Sequence, residues 1–157
     1  MEKTFTTENS KETQKLGETL ACELRGGEVI CLSGELGAGK TTFTQGLLNG
    51  LGAPGPYTSP TFVIMKQYVV KIKNQKSKIK MTNQNLKIEE VYHFDAYRVN
   101  GNDIINLGWK EIVANKNNVI IVEWADRIAD IIPERALWIS FEWKDENRRK
   151  IVFKSKI

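Results

Sequence analysis

The run Gly34-Glu35-Leu36-Gly37-Ala38-Gly39-Lys40-Thr41 constrains this chain more than any other feature. It fits the pattern G-x-x-x-x-G-K-[ST] in full, which lets backbone N–H groups curl around phosphate oxygens. Its setting is as informative as its letters. The apolar run Val29-Ile30-Cys31-Leu32 precedes it, as expected of a strand covered on both faces. Lys40 to Leu51 follows with helical spacing and would bury Phe43, Leu47, Leu48 and Leu51. Gly52, Pro54, Gly55 and Pro56 then end that helix. A chance match of the four fixed positions occurs in roughly one chain in a hundred of this length, and chance does not supply the flanking strand and helix.

The chemistry follows from those positions. Gly37, Ala38 and Gly39 would present N–H groups to phosphates, with the positive end of the following helix aimed at the same point. Lys40 supplies a point charge for the β- and γ-phosphates of ATP, and the Thr41 hydroxyl is placed for Mg²⁺. Thr42 can add a contact to the α-phosphate. Such a site needs an acid at the carboxyl end of a neighbouring strand. Glu123 closes the apolar run Val119-Ile120-Ile121-Val122, and Asp95 closes Val91-Tyr92-His93-Phe94. Alternation along that second run puts His93 and Asp95 on one face, with Tyr92 and Phe94 on the other. His93 is the only histidine, and as a lone one reads first as a structural residue. Ser59-Pro60-Thr61 reads either as a γ-phosphate sensor or as a turn into a strand.

The rest of the chain reads as one α/β domain over 1–157, a mixed sheet flanked by helices as in P-loop NTPases. Ser10 is expected to cap a helix reaching about Leu24, with Leu16, Leu20 and Leu24 on one face. Thr61–Val70 and Ile88–Phe94 should pair as an antiparallel hairpin. Asp103–Ala114 reads as a helix weakened by Gly108. A short helix near Arg127–Ile131 ends at Pro133, and Leu137–Trp143 with Lys150–Phe153 reads as a closing hairpin.

Charge is local. The net charge is +4, yet Lys71, Lys73, Lys76, Lys78, Lys80 and Lys87 all fall in one segment without Asp or Glu; taking those six away leaves −2. The segment 71–87 is expected to be a solvated surface insertion, with phosphate-backbone contact the other reading. Two cysteines, no apolar run near the roughly 20 residues a membrane helix requires, and a polar start from Met1 to Gln14 point to a reduced cytoplasmic setting without a membrane.

Gly34 to Thr42, Ser59-Pro60-Thr61-Phe62, His93-Phe94-Asp95-Ala96-Tyr97-Arg98 and Val122-Glu123-Trp124, in that order, closely resemble the bacterial TsaE (YjeE) family. Those proteins are ATPases required for threonylcarbamoyladenosine modification of tRNA, and the resemblance runs from about Ser10 to about Phe153. It implies ATP and Mg²⁺ as ligands, with Gly37 to Thr42 on the phosphates and Thr41 and Glu123 on the metal. It makes Lys40, Asp95 and Glu123 the catalytic set. It also puts Ser10 and Arg148 beside the nucleotide, with a slip of one residue making the latter Arg149. It implies TsaD and TsaB as partners, with tRNA contacted indirectly or weakly, and ATP hydrolysis that is slow alone and supports turnover of the transferase complex. Arg98 is the best arginine to act in cis. The long segment 71–87 and Tyr57 ahead of Ser-Pro-Thr-Phe depart from the family pattern. A small P-loop kinase is the alternative, and a phosphate-acceptor screen separates the two. Asn115-Lys116-Asn117-Asn118 imitates a guanine motif but lacks its acid and lies ahead of its strand.

Overall fold

The computed structural model describes residues 1–70 and 87–156. Seven strands form one mixed sheet: β1 (Glu2–Thr7), β2 (Val29–Gly34), β3 (Met65–Val69), β4 (Glu90–Asp95), β5 (Asn118–Glu123), β6 (Leu137–Trp143) and β7 (Arg149–Lys154). Their order is β1-β7-β6-β2-β5-β4-β3. The inner strands β6, β2, β5 and β4 run parallel, while β7, β1 and β3 pair antiparallel at the flanks. The expected mixed α/β sheet and both expected hairpins are therefore present.

Alternation divides the core in two. Ile30, Leu32, Val119 and Ile121 face one side and pack with Leu20, Phe43, Leu47 and Leu48 from the helices α1 (Ser10–Ala21) and α2 (Lys40–Gly50). Val29, Cys31, Ile120 and Val122 face the other side, beneath α3 (Gly101–Ile105), α4 (Trp109–Ala114) and a 3-10 helix over Ala125–Ile131. Each fully buried Leu, Ile or Phe here contributes about 1.5–3 kcal/mol relative to exposure. The parity that places Val119 and Ile121 under α2 places Glu123 there as well, and Val91 carries His93 and Asp95 to that side.

Five local expectations are corrected. Asn9, not Ser10, caps α1: its side-chain oxygen accepts from the Glu12 N–H at 2.9 Å, and Glu12 accepts in return from the Glu8 N–H at 2.7 Å. The same helix stops at Ala21, short of Leu24, because its last turn tightens into bonds three residues apart, such as Glu23 N–H to Leu20 O at 2.9 Å. Residues 61–64 form a turn closed by the Ile64 N–H on Pro60 O at 2.7 Å, so the strand begins only at Met65. Asp103–Ala114 is two short helices separated at Gly108, whose φ of 94° no helix accepts. β1, in a stretch read as merely polar, is an edge strand laid on β7 and held by Phe5 packing edge-on against Phe153 at 5.2 Å. Cys31 is buried and its thiol is pushed up to about 12 by that burial, as a core residue should be. The lysine-rich segment lies, Lys87 apart, outside the described residues. No helix among the described residues is long and apolar enough to cross a membrane.

Candidate nucleotide site

The loop between β2 and α2 turns on Gly39, whose φ of 107° at the start of α2 is open to glycine and strained for other residues. That turn brings the first N–H groups of α2 to the carboxyl ends of β2, β5 and β4, where parallel sheets present ligand groups. A cleft of about 340 Å³ opens there, at the lower end of the range usual for small-molecule sites.

Lys40 is buried at its floor. The ammonium donates to the carbonyls of Gly34 and Glu35, the latter at 2.9 Å, and stands 4.1 Å from the centroid of the Trp124 ring. Burial draws its pKa below the ordinary lysine range, against the upward pull of Glu123, Asp126, Glu35 and Asp95. Thr41 donates through Oγ1 to Glu123 Oε1 at 3.1 Å. The second carboxylate oxygen of Glu123, Oε2, lies 2.9 Å from His93 Nε2, and both side chains are almost fully buried. Burial alone would raise the Glu123 pKa. The hydrogen bond and charge of His93, the Thr41 hydroxyl and the Lys40 ammonium outweigh it, and the net direction is downward. His93 Nδ1 is buried with no hydrogen-bond partner among the described residues.

Asp95 holds a loop. Its Oδ2 accepts from Thr61 Oγ1 at 3.0 Å and from Ser59 Oγ at 3.3 Å, and its Oδ1 accepts from the Tyr97 N–H at 2.9 Å. The Ser-Pro-Thr segment is thereby fastened to the end of β4, beside Glu123, its register partner on β5. Across the cleft, Asn9, Ser10 and Thr13 come from the start of α1. Arg149 comes from β7 and donates from Nη2 to Gly37 O at 3.1 Å.

Of the residues singled out from sequence, Ser10, Gly37, Gly39, Lys40, Thr41, Thr42, Asp95 and Glu123 all line this cleft. Ala38 has its side chain in the core and its N–H on Glu35 O at 3.1 Å. Arg148 is turned outward to Asp145, with Nε 2.6 Å from Oδ2, so the arginine on the cleft wall is Arg149. Arg98 lies outside the lining, 5.5 Å from the exposed ring of Phe62. Sequence reasoning did not place His93 on Glu123 or Trp124 over Lys40. The parity of β4 was the signal for the first; the second depends on a turn at Trp124 with φ of 58°, which nothing in the sequence marks.

The donors suit Mg²⁺, which takes few protein oxygens and completes its octahedron with phosphate and water. A hydroxyl and a carboxylate 3.1 Å apart at the glycine-rich loop are such a pair. No group of three or more acidic, histidine or cysteine side chains fit for a metal occurs among the described residues; a nucleotide-borne ion requires none.

Known proteins resemble this chain over nearly its whole length. Residues 7–151 match the family model for TsaE, the threonylcarbamoyl adenosine biosynthesis protein. The tRNA threonylcarbamoyladenosine biosynthesis protein TsaE of Bacillus subtilis is 34% identical over 147 residues, covering 94% of this chain and 82% of its own. Its Aquifex aeolicus counterpart is 36% identical over 148 residues, covering 92% and 90%. The crystal structure of Bacillus subtilis YdiB superposes with a TM-score of 0.72 at 29% identity, over 99% of this chain and 86% of that one. A family match over residues 7–151, with relatives 34% and 36% identical over most of their own length, means that this chain belongs to the TsaE family.

Proposed function

We propose that this protein binds and hydrolyses ATP with Mg²⁺ to support threonylcarbamoyl adenosine formation in tRNA. It would act in the cytoplasm beside TsaD and TsaB, touching tRNA indirectly or weakly. The observation that carries the ATPase reading is the convergence of Lys40, Thr41, Asp95 and Glu123 at the N-terminus of α2. The family names of its relatives carry the tRNA role.

Each residue then has a task. The backbone from Gly37 to Thr42 cradles the phosphates once the Ala38 N–H leaves Glu35 O, and Lys40 leaves the Gly34 and Glu35 carbonyls to meet the β- and γ-oxygens. Thr41 and Glu123 hold Mg²⁺, whose chemistry is to neutralise charge on the transferred phosphoryl group. Asp95 orients the attacking water while keeping Ser59 and Thr61 at the γ-phosphate end. Arg149 closes the wall near Gly37. Hydrolysis should be slow alone, since Arg149, which lines the cleft, is engaged by the Gly37 carbonyl; a partner complex would raise it.

The test is ATP hydrolysis by the purified protein, alone and with TsaD, TsaB and tRNA, beside Lys40→Ala. Activity that is weak alone, rises with partners and vanishes in the variant supports the reading. Hydrolysis retained by the folded Lys40→Ala protein sinks it.

A further inference from the structure

We propose that His93 is a positioning residue for this site: its imidazole fixes the Glu123 carboxylate so that one oxygen stays on Thr41 and open to Mg²⁺. The inference rests on the reading of Glu123 as a magnesium ligand and adds a residue to it.

The geometry is specific. An ionised carboxylate only accepts, so the hydrogen between His93 and Glu123 sits on Nε2, donated to Oε2 at 2.9 Å. Thr41 Oγ1 takes the other oxygen at 3.1 Å. A carboxylate bonded at both oxygens, from two elements, cannot rotate about its last torsion without breaking one bond. β4 and β5 run parallel with His93 opposite Ile121, two residues short of Glu123. The imidazole therefore reaches diagonally up the sheet, a length that histidine spans and asparagine does not.

The other nitrogen argues against a role in packing alone. His93 is 2% exposed, and Nδ1 has no partner among the described residues. A buried polar atom left unpaired is unfavourable, so an apolar side chain of similar volume would suit the core better if filling space were its only task. What the histidine supplies that leucine cannot is a donor aimed at Oε2. Mg²⁺ demands near-octahedral geometry, and residues that orient a metal's ligands govern affinity strongly.

The experiment titrates Mg²⁺ against binding of a fluorescent ADP analogue, without turnover, in the whole protein and in His93→Leu, His93→Gln and His93→Asn. Leucine should raise the Mg²⁺ concentration needed by about tenfold or more, with metal-free binding of the analogue unchanged. Glutamine, whose amide nitrogen can occupy the place of Nε2, should restore most of the loss, and asparagine should not. Folding is followed by thermal unfolding of each variant; should leucine fail to fold, the glutamine and asparagine pair decides. Equal Mg²⁺ requirements for glutamine and asparagine, or a folded leucine variant with the wild-type requirement, overturns the role. Absence of any Mg²⁺ effect in the wild type instead overturns the magnesium reading beneath it, and this inference with it.

Discussion

The Lys40 ammonium stands 4.1 Å above the centroid of the Trp124 indole, while Tyr97 packs against the same ring at 4.8 Å. A cation so placed perturbs the emission of the ring it covers, and a nucleotide that draws Lys40 to its phosphates removes the perturbation. ATP should therefore change tryptophan fluorescence, and Trp124→Phe should lose most of that change. Trp138→Phe should keep it, since that ring packs on the core of the opposite sheet face and lines no part of the cleft. A full signal retained in Trp124→Phe would mean that another tryptophan reports the nucleotide, and would remove the Lys40–Trp124 contact as its source.

Asp95 ties Ser59 and Thr61 to the end of β4 and is the acid assigned to the water. Asp95→Asn keeps the shape and removes the charge. The rate of hydrolysis should fall by about 100-fold or more, with ATP affinity changed only a few-fold. A rate near that of the wild type would leave Asp95 as a tether for the loop and move the water to Glu123.

Helices α1 and α2 touch backbone to backbone. A methyl on Gly46 would lie 1.9 Å from Gln14 O, and one on Gly17 would lie 2.3 Å from Phe43 O. Neither neighbour is a flexible side-chain end, so the helices must part. Gly46→Ala should cost about 1–3 kcal/mol and lower Tm by roughly 2–12 °C. Calorimetry checks it, and an unchanged Tm would mean the helices slide apart freely.

Asp145 organises the turn between β6 and β7, accepting from the Asn147 and Arg148 N–H groups and from Arg148 Nε. Those bonds bring its carboxyl down from 3.8 to about 2. The unfolded chain takes up this proton at higher pH than the folded one, so the contribution to stability is complete above 3.8 and lost as pH falls towards 2. Asp145→Asn should flatten the loss of stability over that window, seen in urea midpoints measured at successive pH values. Parallel curves for the two proteins would remove the turn from the acid response.

The parts of the molecule legible in the sequence are those where one rule dominates. Val29 to Leu32 and Val119 to Val122 read as buried strands because parallel strands covered on both faces need continuous apolar residues. The phosphate loop was legible because its glycines, lysine and threonine each have a separate physical duty. β1 was not, since an edge strand exposed on much of its surface needs few apolar residues, and Glu2 to Thr7 supplies only Phe5. The break at Gly108 was visible as a weakness, but two five- or six-residue helices differ from one long helix only through tertiary contacts. Arg149 rather than Arg148 on the cleft wall is a matter of one residue of register in a hairpin, where each step reverses the face presented. His93 looked structural because a lone histidine carries no pattern; its partner lies thirty positions away on the adjoining strand.

Arg149 on Gly37, reaching from β7 to the phosphate loop 112 positions earlier, makes the cleft a property of the entire chain. Its walls come from Asn9 at one extreme and Arg149 at the other. Local opening of either α1 or the last hairpin dismantles it, so no partly unfolded species keeps full affinity. Ligand occupancy and global unfolding are thereby linked: a nucleotide at a hundred times its Kd would stabilise the fold by about 2.7 kcal/mol. A thermal-shift series with nucleotides then measures affinity through the melting of a sheet most of whose strands never touch the ligand.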